Sequence, residues 1–144
     1  MATFTKIQDF VEQLGLATHN LNTGTLNIAL SRSDADAGAG AAVQVTDTVL
    51  ANFVQPTGSG YVVTDTQNTF AEASGTATLT GTKVVFTATG TWQSFRYAVI
   101  YNAAGSGNLI GFWDYGSDLI LADGETFSVK FNNSDTTGTI LTIA

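Results

Sequence analysis

Cysteine is absent from this 144-residue chain, and histidine and proline each occur once. Without cysteine there is no thiol nucleophile, no thiolate zinc site and no iron–sulfur cluster, and redox compartment is left unmarked. Any chemistry that needs an imidazole rests on His19. Charge is scarce as well: 12% of residues are Asp, Glu, Lys or Arg, against about 25% in an average soluble protein. Five basic residues stand against twelve acidic ones, for a net charge of −7. Such a chain has no basic patch to neutralise a phosphate backbone, so nucleic-acid binding is not expected. No run approaches the roughly 18 apolar residues of a membrane-spanning helix. The opening Met1-Ala2-Thr3-Phe4-Thr5-Lys6 lacks a charged stretch followed by an apolar one. Neither a membrane span nor a signal peptide is therefore expected. Thr, Ser, Asn, Gly and Ala must supply the surface.

The length suits one domain spanning residues 1–144. One segment carries a helical period: Ile7, Phe10, Val11 and Leu14 form an i, i+3, i+4, i+7 stripe. Thr5 followed by Gln8 fits a capping box, Phe4 a hydrophobic staple and Gly15 a stop, which predicts an amphipathic helix over residues 5–15. From Thr25 the period changes to two, with Leu26, Ile28 and Leu30 on one face. The stretch SRSDADAGAGAA, residues 31–42, is too poor in apolar anchors to pack and reads as a flexible loop. Asp47–Phe53 fits either a short helix or a strand.

Beyond Tyr61 the pattern predicts short strands at Tyr61–Asp65, Thr69–Ala73, Thr76–Thr80, Lys83–Thr89, Phe95–Asn102, Leu109–Tyr115, Leu119–Leu121, Thr126–Phe131 and Thr139–Ile143. Reversals are expected at Asn102–Gly107, at Tyr115-Gly116-Ser117-Asp118 and at Asp123-Gly124. The fold class is thus all-β: an antiparallel β-sandwich, jelly-roll-like, with one N-terminal helix.

Constellations that carry chemistry are incomplete. No motif places a hydroxyl nucleophile and an orienting carboxylate around His19, and the ordinary reading is a helix-end histidine whose positive form faces the helix C-terminus. Asp34-Ala35-Asp36-Ala37-Gly38 looks superficially like a calcium loop. Ala37 stands where a third oxygen ligand belongs, however, and Gln44 where the bidentate Glu belongs. Asp114, Asp118, Asp123 and Glu125 flank aromatic residues, as the paired carboxylates of a glycosidase do, yet turn carboxylates that bond their own backbone explain them more simply. Catalytic residues, a metal and a cofactor are therefore not expected. Phe127, Val129 and Phe131 point one way and Ser128 and Lys130 the other, giving that strand one wet face. Phe95–Tyr101 and Leu109–Tyr115 instead look apolar on both faces. They lie beneath the helix or against another chain, which makes Phe95, Tyr97, Tyr101, Phe112, Trp113 and Tyr115 interface candidates.

Three of these segments carry a family likeness: Phe95-Arg96-Tyr97-Ala98-Val99-Ile100-Tyr101-Asn102, Leu109-Ile110-Gly111-Phe112-Trp113-Asp114-Tyr115-Gly116-Ser117, and Leu121-Ala122-Asp123-Gly124-Glu125-Thr126-Phe127. With the opening Phe4–Glu12, His19-Asn20-Leu21 and Thr25–Leu30, the chain resembles a family of small virion-associated structural proteins of tailed bacteriophages and prophages. The likeness covers most of the chain except residues 31–42, onto which no contact role is carried. It implies a non-enzymatic capsid decoration (cement) protein on the virion surface, a homo-oligomer that binds the major capsid protein. A tail or tail-fibre component, or a carbohydrate-binding sandwich using Trp113 and Tyr115, are the alternatives.

Overall fold

The structure is a computed structural model that describes residues 2–32 and 42–144. The strands are β1 (Phe4–Lys6), β2 (Leu26–Ser31), β3 (Thr64–Asp65), β4 (Thr69–Ala73), β5 (Thr76–Thr82), β6 (Val84–Thr87), β7 (Phe95–Asn102), β8 (Leu109–Leu119), β9 (Thr126–Val129) and β10 (Thr137–Ile143). One helix, α1 (Phe10–Gly15), and two single 3₁₀ turns, Leu50–Asn52 and Phe131–Asn133, complete the described elements. A five-stranded sheet runs β1-β8-β7-β2-β3, a three-stranded sheet β10-β5-β4, and β6 pairs with β9. Every pairing among the described residues is antiparallel, so these residues form an all-β fold with one short helix, as the sequence indicates. Sheets of five, three and two strands differ from the paired four-stranded sheets of a jelly roll, and the sandwich reading stands only in its general form.

The expected helix over 5–15 is shortened from its N-terminal side. Phe4–Lys6 is a strand whose partners are Gly111–Trp113 of β8, and the Phe4 ring packs at a tilt against Trp113 with centroids 4.9 Å apart. The helix starts at Phe10 after Asp9, without a side-chain cap. Val11, placed on the apolar stripe by its spacing, is 57% exposed, whereas Ile7 and Phe10 are buried. Six residues form too short a helix to hold together by themselves, so tertiary pairing with β8 decides where it begins. The loop expected over 31–42 lies outside the described residues save at its ends: Ser31 closes β2 and the Arg32 N–H bonds the Val54 carbonyl at 3.0 Å.

Strand β7 occupies the centre of the main sheet, bonded to β8 on one side and β2 on the other. Both of its faces are apolar, as the sequence suggests, but the chain covers them itself. Phe95 meets Trp92 and Phe127, Tyr97 meets Phe112 edge-on at 6.2 Å, and Tyr101 accepts a hydrogen bond from the Asn27 side chain. This corrects the interface assignment. Phe95, Tyr97, Tyr101 and Phe112 are buried in the chain's own core, so no second chain is needed to cover them. Trp113 is half-buried and Tyr115 is 55% exposed.

The reversal expected at Tyr115–Asp118 is likewise absent. Strand β8 continues through it to Leu119, and Tyr97 pairs with Asp114 while Phe95 pairs with Leu119. Two steps on β7 therefore face five on β8, a bulge with three residues in excess. Gly116 takes a positive φ of 93° there, which glycine adopts without steric cost. Bulges of this kind bend the strand and re-aim its side chains.

Aromatic packing joins the layers. Trp92 is buried among Tyr61, Phe86 and Phe95, and Phe131 packs on Trp113 at 5.6 Å where β9 turns toward β10. Burial pushes the Tyr61 phenol up to about 12. Its hydroxyl accepts from the Leu30 N–H at 2.9 Å and bonds Gln55 Oε1 at 2.7 Å. In the three-stranded sheet Leu79, Gly81 and Ile140 face inward. The alternate residues face outward, since successive side chains on a strand point to opposite sides.

Candidate functional site

A groove of about 510 Å³ opens between the main sheet and β9. Its wall on the sheet side is Arg96 and Ala98 of β7 with Trp113 and Tyr115 of β8; the other wall is Phe127–Lys130, with Asn133 at one end. Alternation on β9 sends Phe127 and Val129 inward. The bulge carries Tyr115 to the rim, where its ring meets Phe127 edge-on at 6.0 Å. Trp113 is held between Phe4 and Phe131, so the aromatic floor is fixed before any ligand arrives.

Both cations at the groove are already paired. Arg96 donates from Nε to Asp114 Oδ1 at 2.7 Å and from Nη2 to Oδ2 at 2.9 Å, the two-pronged geometry that suits a guanidinium to a carboxylate. The Arg96 hydrogen bonds, with one from the Gly116 N–H, hold the Asp114 carboxyl below its ordinary range. Lys130 Nζ lies 2.5 Å from Asp135 Oδ1, and that carboxyl is lowered by the same contact. Asp114 thus ties the bulge to β7 and fixes the approach to Tyr115.

The carboxylates that suggest glycosidase chemistry perform separate tasks. Asp114 takes Arg96, and Glu125 Oε2 accepts from the Ala122 N–H at 2.8 Å within the Asp123-Gly124 turn, where Gly124 has a φ of 82°. Among the described residues no three of His, Asp and Glu lie close enough to hold a metal ion. The Asp34–Gly38 segment falls outside the described residues.

His19 departs from its sequence reading. It is 4% exposed, packed with its ring tilted against Phe10 at 5.4 Å, and neither ring nitrogen makes a hydrogen bond of good geometry. Burial lowers its pKa, with Asp9 and the Leu109 main chain acting in the opposite sense. The neutral form is the one the fold accommodates, the reverse of a helix-end cation. Because the folded chain binds this proton less readily than the unfolded chain, stability holds above pH 6.5 and falls as pH drops below it. Thermal melting followed from pH 7.5 to about pH 5 should show this loss. His19→Phe, which keeps a ring against Phe10 but cannot titrate, should flatten it; an unchanged slope in that variant would assign the loss to carboxylates.

A second surface lies on the three-stranded sheet. Thr82 stands opposite Thr137, Thr80 between Thr139 and Thr69, and Thr78 between Thr142 and Ala71. The Thr69 and Thr80 hydroxyls are 2.7 Å apart. All these side chains are outward, and none is ionisable; Glu72 of β4 points to the opposite side with Phe70. The signal is present in the sequence as Thr76-x-Thr78-x-Thr80-x-Thr82, whereas Arg96, Phe127 and Lys130 of the groove come together only through pairing between distant segments.

Comparison with known protein families, with characterised proteins and with solved structures finds no match to this chain.

Proposed function

We propose that this chain is a non-enzymatic virion structural protein, a capsid decoration protein whose Thr-rich sheet docks on the major capsid protein at the virion surface. The proposal begins from the likeness of its β7, β8 and β9 segments to small phage structural proteins. The observation that carries it further is the threonine face, uncharged and built from short side chains that lose little rotamer freedom on contact. Three strands about 4.8 Å apart and seven residues of about 3.3 Å rise make a face of about 330 Å². A stable interface between two free proteins needs about 800 Å² from each partner, so this face alone does not support an isolated dimer. A homo-oligomer that presents several such faces to neighbouring capsid subunits does not require it to, since linked weak contacts reinforce one another.

The test strips the protein from purified particles, re-adds it and follows capsid heat stability. Particles without it should release their genome at a lower temperature, and re-addition should restore the midpoint. Thr80→Arg, a charge at the centre of the face, should abolish rebinding while leaving the chain folded. The stoichiometry of rebinding measures self-association. Stripped heads of unchanged stability would overturn the proposal, and copurification with tails alone would transfer the protein to the tail.

A further inference from the structure

We propose that the groove between β8 and β9 is a binding site for a neutral oligosaccharide. Size is the first ground: about 510 Å³ falls within the ~300–1,000 Å³ of small-molecule sites. Aromatic arrangement is the second. The C–H bonds on one face of a pyranose ring carry partial positive charge, and the face of an aromatic ring carries partial negative charge. Tyr115, 55% exposed at the rim, offers such a face, while Trp113 and Phe127 continue the apolar surface inward. A ring already fixed by its neighbours loses little freedom when a ligand stacks on it, and these rings are fixed by Phe4, Phe131 and each other.

Polar groups set the chemistry of what lies against those rings. Arg96, Ser128, Lys130 and Asn133 also border the groove, and their main-chain and side-chain groups together supply the hydrogen-bond donors and acceptors a polyol requires. Charge then separates neutral from acidic sugars. The guanidinium is held by Asp114, and the ammonium shares Asp135 with Lys83, so a sialic or uronic acid must compete with a carboxylate already in place for either cation. The chain's net charge of −7 also opposes a polyanion. An uncharged sugar meets neither obstacle. Arg96 serves here as a positioning residue, because its hold on Asp114 secures the bulge that presents Tyr115.

The intact chain, isotopically labelled, would be titrated with chitotetraose, maltohexaose and laminarihexaose, with polysialic acid and heparin as anionic comparisons. At least one neutral sugar should shift amide resonances of β8 and β9 saturably, and the anionic chains should not. Tyr115→Ala should weaken that binding about tenfold with an unchanged melting temperature. Arg96→Lys, which keeps the charge but not the two-pronged contact, should weaken it less. The inference fails if no neutral sugar shifts these resonances by about 10 mM, if the anionic chains bind more tightly, or if Tyr115→Ala binds as the parent does. Failure here is separable from failure of the capsid proposal: Tyr115→Ala should dock on particles normally, and Thr80→Arg should keep sugar binding.

Discussion

Gly138→Ala is expected to destabilise the fold by about 3 kcal/mol, lowering the melting temperature by roughly 10 °C in a chain of this size. A Cβ at Gly138 would overlap the carbonyl oxygen and carbon of Phe131 and approach Ser134 Cβ to 3.1 Å. A flexible side-chain end yields to such a contact; a main-chain carbonyl does not. The turn that holds it is already committed, with Asn132 and Asn133 both at positive φ and Phe131 buried. Relief must come from opening the pairing of β10 with β5, where Gly138 stands directly opposite Gly81. Gly15→Ala is the comparison: nothing lies within 4 Å of its added Cβ, and its effect should stay within about 0.5 kcal/mol. Thermal denaturation of the two variants beside the parent decides the matter, and a Gly138→Ala midpoint within about 2 °C of the parent would refute the argument.

Trp92→Ala should cost more, about 3–5 kcal/mol, and threatens folding at physiological temperature. The indole is 2% exposed and contacts three aromatic rings, with Tyr61 edge-on at 5.3 Å. Its N–H donates to the Ser59 carbonyl at 2.8 Å, and the main chain at Gly58 lies so close that a Cβ there would overlap the indole. Truncation therefore opens a cavity and removes a hydrogen bond together. Trp92→Phe restores most of the volume without the donor and should fall between the two. Chemical denaturation gives the magnitudes, and a loss under about 1 kcal/mol for the alanine variant would mean the site collapses without cost.

The two strands read most accurately from sequence, Thr69–Ala73 and Phe95–Asn102, match the observed bounds at both ends. Phe95–Asn102 is a run of strand-favouring residues, and Thr69–Ala73 is bounded by the turn residues Asn68 and Ser74-Gly75; both signals are local. Errors arise where distant pairing overrides the local signal. Tyr115-Gly116-Ser117-Asp118 has the composition of a turn, and a bulge uses the same glycine at positive φ; only the Phe95–Leu119 pairing distinguishes them. Thr5-x-x-Gln8 reads as a capping box until Phe4–Lys6 is claimed by β8. Apolar residues on both faces of β7 correctly indicate double coverage, but alternation cannot say whether the cover is the same chain or another. The groove was legible only through Trp113 and Tyr115. Its opposite wall sits on a strand read as having a single wet face, and nothing local connects Phe127 or Lys130 to Arg96.

The bulge in β8 has a further consequence, for how such a chain can change over generations. Register is pinned on both sides of it, by Tyr97 with Asp114 and by Phe95 with Leu119. The residues between are exposed and outside the ladder. Replacement, loss or gain of a residue there reshapes the groove's rim without shifting a hydrogen bond of the main sheet. Inheritance of the scaffold and drift of the surface it presents are thereby uncoupled, within one strand.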